Sequence, residues 1–306
     1  MKQRNPIIAI CYDFDGTLSP GNVQEYGFLP GLGDKAKTFW AESNELAKKE
    51  NADPILTYML YMIQKAAEAD IGTRKTDFEG YGKTVKFFDG VKTWFSRIKK
   101  YGAKHGIAIE HYIVSSGLRE MIQGTSIGDE FEKIYACFYM YDNNDVAKWP
   151  AVAVNYTTKT QFLFRINKGI ADDSDNKKIN KFIPEHKRRI PFAQIIYIGD
   201  GETDVPCMKL VKDKGGHSIA VYDPVKPDKQ SDSEKLLRDK RVNYVAPADY
   251  SKGKRLDLLV SAIINKILAD SKLCRLDAQI EERNMENLDA EVSTPGLPTS
   301  TTGHES

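Results

Sequence analysis

Four aspartates in two close pairs, Asp13 with Asp15 and Asp200 with Asp204, are the side chains of this chain best suited to chemistry. Asp13 and Asp15 are two apart, so on an extended backbone they share a face and can converge on one point. Neighbouring carboxylates repel unless a positive charge lies between them, and a hard cation with oxygen ligands such as Mg²⁺ meets that need. A bare Asp-x-Asp is otherwise a polar turn capped by its own side chains, and a Gly-Asp-Gly tripeptide is otherwise a turn. What precedes each pair favours a site. Residues 7–12 are an apolar, partly β-branched run, and residues 194–198 are another, ending at Gly199-Asp200-Gly201. Ser115 likewise ends an apolar run, over residues 111–114, where a hydroxyl and freed backbone N–H groups can meet an anion.

These runs must be strands buried on both faces, as in a parallel sheet covered by helices. Gly16 lets the chain swing away after the first acids. Ligands bind at the carboxyl ends of strands in such sheets. Helices are predicted over residues 33–50, 53–70, 118–124, 177–183 and 255–270, and another follows Asp89-Gly90-Val91. The second has Asp53 as its cap and Pro54 in its first turn. Strands are predicted over residues 133–141, 218–222 and 242–245, and a β-hairpin over residues 152–155 and 161–166. The βαβ rhythm breaks off after the first strand and resumes near residue 87, so residues 20–86 read as a helical insert.

Asp13-x-Asp15-Gly16-Thr17 resembles the first signature of the haloacid dehalogenase-like (HAD) hydrolase superfamily. The run ending at Ser115-Ser116-Gly117 resembles its second, most closely as phosphoserine phosphatase-like members write it, and Gly199-Asp200-Gly201-x-x-Asp204 resembles its fourth. The third signature is one lysine, and two positions compete. Lys168, before Gly169, is favoured by topology; Lys177 or Lys178 lies nearer Asp200, at a separation more usual in the family. The acidic run over residues 172–175 departs from the family's pattern and bears on that choice.

The resemblance implies a Rossmann-like doubly wound core over residues 1–19 and 87–284, with residues 20–86 as a C1 cap covering the active site. It implies a phosphatase acting on a small phosphorylated metabolite. Asp13 attacks phosphorus to form an aspartyl-phosphate, and Asp15 protonates the leaving oxygen and later activates water. Mg²⁺ is held by Asp13, the carbonyl of Asp15 and Asp200, with Asp204 a direct ligand or one step behind. Thr17, Ser115, Ser116 and the lysine are the phosphate-binding set, Thr17 by steadying the loop. Founding dehalogenases lack an acid at the place of Asp15, which favours phosphate chemistry. A phosphotransferase uses the same residues, and a non-catalytic binding module is the opposing class, although all four acids stand.

The 306 residues carry 44 Lys and Arg against 43 Asp and Glu, so the formal charge of +1 argues for neither nucleic acid nor membrane as a partner. Four scattered cysteines form no metal or disulfide framework, and Cys11 and Cys137 are expected to be buried thiols. With no signal-like or spanning apolar run, a cytoplasmic setting is expected. For Phe39, Trp40, Tyr58 and Tyr61 the first reading is packing between helices; with Arg74 and Lys75 they are also candidates to face substrate. From residue 285 the chain is polar and rich in Thr, Ser and Pro, and is expected to be disordered.

Overall fold

The central strand β1 (Ile7–Tyr12) places Ile8 through Tyr12 wholly out of solvent. A computed structural model of the chain describes residues 6–172 and 174–292. The described residues up to Ile264 form one compact unit and those from Asn265 onward a second. The strands after β1 are β2 (Ala108–Leu118), β3 (Lys133–Tyr141), β4 (Ala147–Val152), β5 (Ile195–Gly199), β6 (His217–Tyr222) and β7 (Tyr244–Pro247). They form one sheet in the order β4-β3-β2-β1-β5-β6-β7. Every pairing is parallel except β3 with β4. Because β2 and β5 flank β1, the chain that leaves all three strands emerges at one edge of the sheet.

The helices are α1 (Phe28–Gly31), α2 (Phe39–Lys49), α3 (Pro54–Glu68), α4 (Lys75–Gly82), α5 (Val91–Lys104), α6 (Arg119–Gln123), α7 (Lys159–Lys168), α8 (Asn176–Asn180), α9 (Val205–Asp213), α10 (Pro227–Arg238) and α11 (Arg255–Val292). The segment between β1 and α5 is helical, as the sequence predicts. Asp53 caps α3, its Oδ1 accepting from the amides of Ile55 (2.8 Å) and Leu56 (3.0 Å). The aromatic residues of this segment pack on one another: Phe39 on Trp40 with ring centres 5.1 Å apart, Trp40 on Tyr58 at 5.7 Å.

Three expectations need correction. A β-hairpin exists, but it is β3 with β4, turned at Asp142, whose Oδ1 accepts from the amides of Asn144 (2.8 Å) and Val146 (3.0 Å). The second strand expected over residues 161–166 is instead helix α7. Lys159, Phe162, Leu163 and Ile166 recur at helical spacing and are all buried, and Gly169, at φ +71°, ends the helix in the left-handed conformation. Lastly, α11 continues to Val292, past its expected end at residue 270, since residues 271–292 hold no Gly or Pro to stop a helix. The remaining tail, residues 293–306, lies outside the described residues. No helix among the described residues is long and apolar enough to cross a membrane. Cys11 and Cys137 are buried free thiols.

Beneath β1, the Tyr12 hydroxyl accepts from Trp94 Nε1 (2.8 Å) and lies 3.0 Å from His111 Nδ1. Burial, aided by the charge of Lys99, pushes the His111 imidazole down to about 3 from its ordinary 6.5, so it stays neutral. The unfolded chain protonates this histidine below pH 6.5 while the folded chain does not. Its contribution is therefore intact above 6.5 and is lost as pH falls toward 3, by about 1.4 kcal/mol per pH unit. In chemical denaturation between pH 6 and 4, His111→Phe should lose stability less steeply than the native chain by that slope. Equal slopes would refute a neutral buried His111.

Candidate active site

Asp13 is the first residue beyond β1, and its amide still donates to the Ile198 carbonyl of β5 (2.9 Å), so its backbone is held by the sheet. Its Oδ1 accepts from the Phe14 amide (2.7 Å). Its Oδ2 accepts from Lys159 Nζ (2.7 Å), and the same ammonium donates to Asp204 Oδ1 at 2.7 Å. Lys159 is entirely buried. Burial alone would drive its ammonium to lose its proton, but Asp13 and Asp204 outweigh burial and hold its pKa above the ordinary lysine value.

Asp204 is fully buried, and protein donors occupy both its oxygens: Lys159 and the Tyr197 hydroxyl (2.7 Å) on Oδ1, the Asp200 amide (3.2 Å) on Oδ2. One oxygen from each of Asp13, Asp200 and Asp204 falls within 4.8 Å of the others. Burial, then the charges of Asp204 and Asp13, push the Asp200 carboxyl up to about 7, and burial likewise raises Asp13. One ammonium therefore leaves this acidic group under-neutralised, and a divalent cation with oxygen ligands fits the donor set. Gly16 supports the same fit. Its φ is +74°, and a Cβ there would stand 2.3 Å from Asp200 Oδ2, so only glycine lets the first loop approach this carboxylate.

Asp15 turns its Oδ1 to the Val23 amide (2.8 Å), and burial, reinforced by the charge of Asp13, raises its carboxyl well above the ordinary range. Ser115 is buried near the end of β2, and its Oγ accepts from the Gly117 amide (3.0 Å), leaving the hydroxyl proton to donate elsewhere. The pairing of β2 with β3 shifts register between Val114 and Leu118, which bends the strand where these residues turn to the cleft. A cleft of about 1110 Å³ opens over this edge, with Asp13, Asp15, Ser115, Ser116 and Asp200 in its wall. The helical segment adds Asn22, Glu25 and Ile55, and α10 adds Lys229.

Some expected residues lie elsewhere. Lys168 is at the far end of α7, with its ammonium donating to the carbonyls of Ile179 (2.5 Å) and Lys181 (2.9 Å). Lys177 is exposed on α8, and Lys178 pairs with Asp175 at 2.8 Å. The lysine beside the acids is Lys159, nine residues before the one topology favoured. Its signal was the spacing Lys159-Phe162-Leu163-Ile166, one face of a helix. Thr17 does not reach the cleft; it is wholly buried, and its carbonyl accepts from the Tyr250 hydroxyl (2.9 Å). Phe39, Trp40, Tyr58, Tyr61, Arg74 and Lys75 do not line the cleft either, and the Tyr58 hydroxyl donates to the Ser116 carbonyl (2.6 Å).

Acids at the carboxyl edge of a mostly parallel sheet, with a buried lysine among them, define the class: the chain belongs to the haloacid dehalogenase-like hydrolase family, whose profile matches residues 10–209. An uncharacterized protein of Borreliella burgdorferi is 31% identical over 285 residues, covering 84% of this chain and 96% of the relative. Among solved structures, a HAD family hydrolase from Salmonella enterica serovar Typhi aligns with a TM-score of 0.51 and 16% identity, over 83% of this chain and 70% of that one. A probable phosphoserine phosphatase from Vibrio cholerae aligns with a TM-score of 0.52 and 12% identity, over 88% and 67%. These two structures share the fold.

Proposed function

We propose that this protein is a Mg²⁺-dependent phosphatase that hydrolyses a small phosphorylated molecule through an aspartyl-phosphate on Asp13. The observation that carries the reading is the buried Lys159 ammonium, 2.7 Å from both Asp13 and Asp204, beside a third carboxylate at the floor of an open cleft. A phosphate monoester repels an anionic nucleophile, so the site must supply positive charge and donors where the phosphoryl oxygens sit.

Asp13 attacks phosphorus with the carboxylate oxygen not tied up in holding the loop. Lys159 offsets the charge gathering on the phosphoryl group, and Ser115 donates its hydroxyl to it. Asp15, whose carboxyl burial raises above the ordinary range, gives a proton to the leaving oxygen and then takes one from the water that opens the acyl phosphate. Asp13, Asp200 and the carbonyl of Asp15 would hold Mg²⁺, with Asp204 behind them fixing Lys159 and the loop after β5. When bound, the ion supplies further positive charge against the phosphoryl oxygens. The helical segment over residues 20–86 serves as the cap, closing the cleft with Ile55 and the loop over residues 20–25 and keeping bulk water out.

The test is turnover of p-nitrophenyl phosphate by protein stripped with EDTA and then given Mg²⁺. Activity should be absent after stripping and return with the ion, rising at least about 100-fold. Equal rates in both states would refute metal dependence; no turnover of this or a panel of phosphorylated metabolites would refute the reading.

A further inference from the structure

The turn that launches α7 is tied to the helical segment through the side chain of Asn155. Asn155 Oδ1 accepts from the amides of Thr157 (3.2 Å) and Thr158 (3.0 Å), and the Asn155 carbonyl accepts from the Lys159 amide itself (3.0 Å). Thr158 Oγ1 in return accepts from the Asn155 amide (2.8 Å). With Oδ1 committed to two N–H donors, the amide orientation is set, and Nδ2 points outward. It donates to Asp53 Oδ2 at 2.9 Å. Asp53 is the cap of α3, its other oxygen engaged with the first turn of that helix. The residues next to this contact, Ile55 on one side and Tyr156 on the other, both line the cleft.

We infer that Asn155 is a positioning residue that latches the start of cap helix α3 to the turn holding Lys159, so that the cap's seat on the cleft and the placement of the lysine ammonium depend on one another. The inference rests on the proposed role of Lys159 toward the phosphoryl group. A second tie, from Tyr58 to the Ser116 carbonyl one turn further along α3, keeps the rest of the helix seated. Loss of the latch should therefore loosen the first turn of α3 and the first turn of α7, and leave the remainder in place.

The side-chain chemistry allows a reciprocal test. Asn155→Asp keeps an oxygen for the two amides but sets a carboxylate against Asp53. Asp53→Asn keeps the cap of α3 but sets one amide donor against another. The double exchange, Asp53→Asn with Asn155→Asp, restores the hydrogen bond in the opposite direction. In hydrogen exchange, each single variant should speed exchange about tenfold in peptides over residues 53–60 and 155–162 together, and the double should return both to within about twofold of the native chain. The kcat for p-nitrophenyl phosphate should follow the same pattern, falling about tenfold in each single variant and recovering in the double.

Faster exchange confined to α7, a double variant no better than the singles, or altered exchange with native kcat would each overturn the positioning role. If the native protein turns over no phosphate ester, the proposed function fails. The exchange data then judge the latch on their own, coupled loosening with rescue upholding it and independent loosening sinking it.

Discussion

Asp13→Asn is expected to lower kcat for p-nitrophenyl phosphate by about 10⁴-fold or more, to the level of a site with no nucleophile. The substitution keeps the shape of the side chain and an oxygen for the Phe14 amide, so the loop after β1 keeps its anchor. It also removes one of the carboxylates that crowd Asp200, whose raised pKa reflects burial and repulsion from Asp204 and Asp13. Stability should therefore change little, by about 1 kcal/mol in either direction, since a lost charged hydrogen bond is offset by relief of that repulsion. Kinetics and thermal unfolding on the same sample check both halves. Retained turnover in a folded variant would show that Asp13 is not the attacking group, whereas loss of turnover with loss of fold would not implicate it.

Lys159→Met is expected to damage both activity and stability. The native ammonium is the shared partner of two buried carboxylates, at 2.7 Å from each. Removing one member of a buried ion pair leaves the other charge uncompensated, at a cost of about 3–5 kcal/mol. Over a domain of this size that should lower Tm by roughly 6–10 °C. On the proposed mechanism the phosphoryl group would also lose the cation that offsets its charge, so kcat/KM should fall by about 100-fold or more. Lys168→Met is the matched control. That side chain holds two backbone carbonyls at the other end of the same helix, so its loss should cost about 1 kcal/mol and leave kcat and KM unchanged. A Lys168 variant that lost activity while Lys159→Met kept it would reverse the assignment.

The contrast between these two lysines shows where sequence reasoning stopped. Residues 161–166 read Gln-Phe-Leu-Phe-Arg-Ile, in which Phe162, Phe164 and Ile166 alternate as they would along a strand. The same stretch with Lys159 and Leu163 added has helical spacing, and only packing chooses between the two periods. In the fold Phe162 stacks on Tyr135 of β3, with ring centres 4.9 Å apart, while Phe164 meets Phe192 edge-on at 5.3 Å. Read as a strand, the stretch put Lys168-Gly169 in the loop that should carry the third signature. As a helix, it makes Gly169 the stop and carries Lys159 back toward β1. A buried lysine is also the least expected occupant of an apolar face, because nothing local reveals the two acids that hold its charge.

Asp13, Asp15, Ser115 and Asp200 were legible because each follows an apolar run that can only be an interior strand, and chain direction then places all of them at the same edge. The helical character of residues 20–86 was legible from the cap at Asp53 and the spacing that follows it. Sequence alone thus determined the family, the central strand with its acids and the edge of the sheet at which they gather. Only the tertiary structure decided which lysine lies against them, that protein donors occupy both oxygens of Asp204, that Thr17 is buried out of the cleft wall and that Asn155 joins the cap of α3 to the turn before α7. The physical reason is range. Strand runs, acidic turns and caps are written in neighbouring residues, whereas the partner of a buried charge is set by packing between segments 146 residues apart in sequence, as for Lys159 and Asp13.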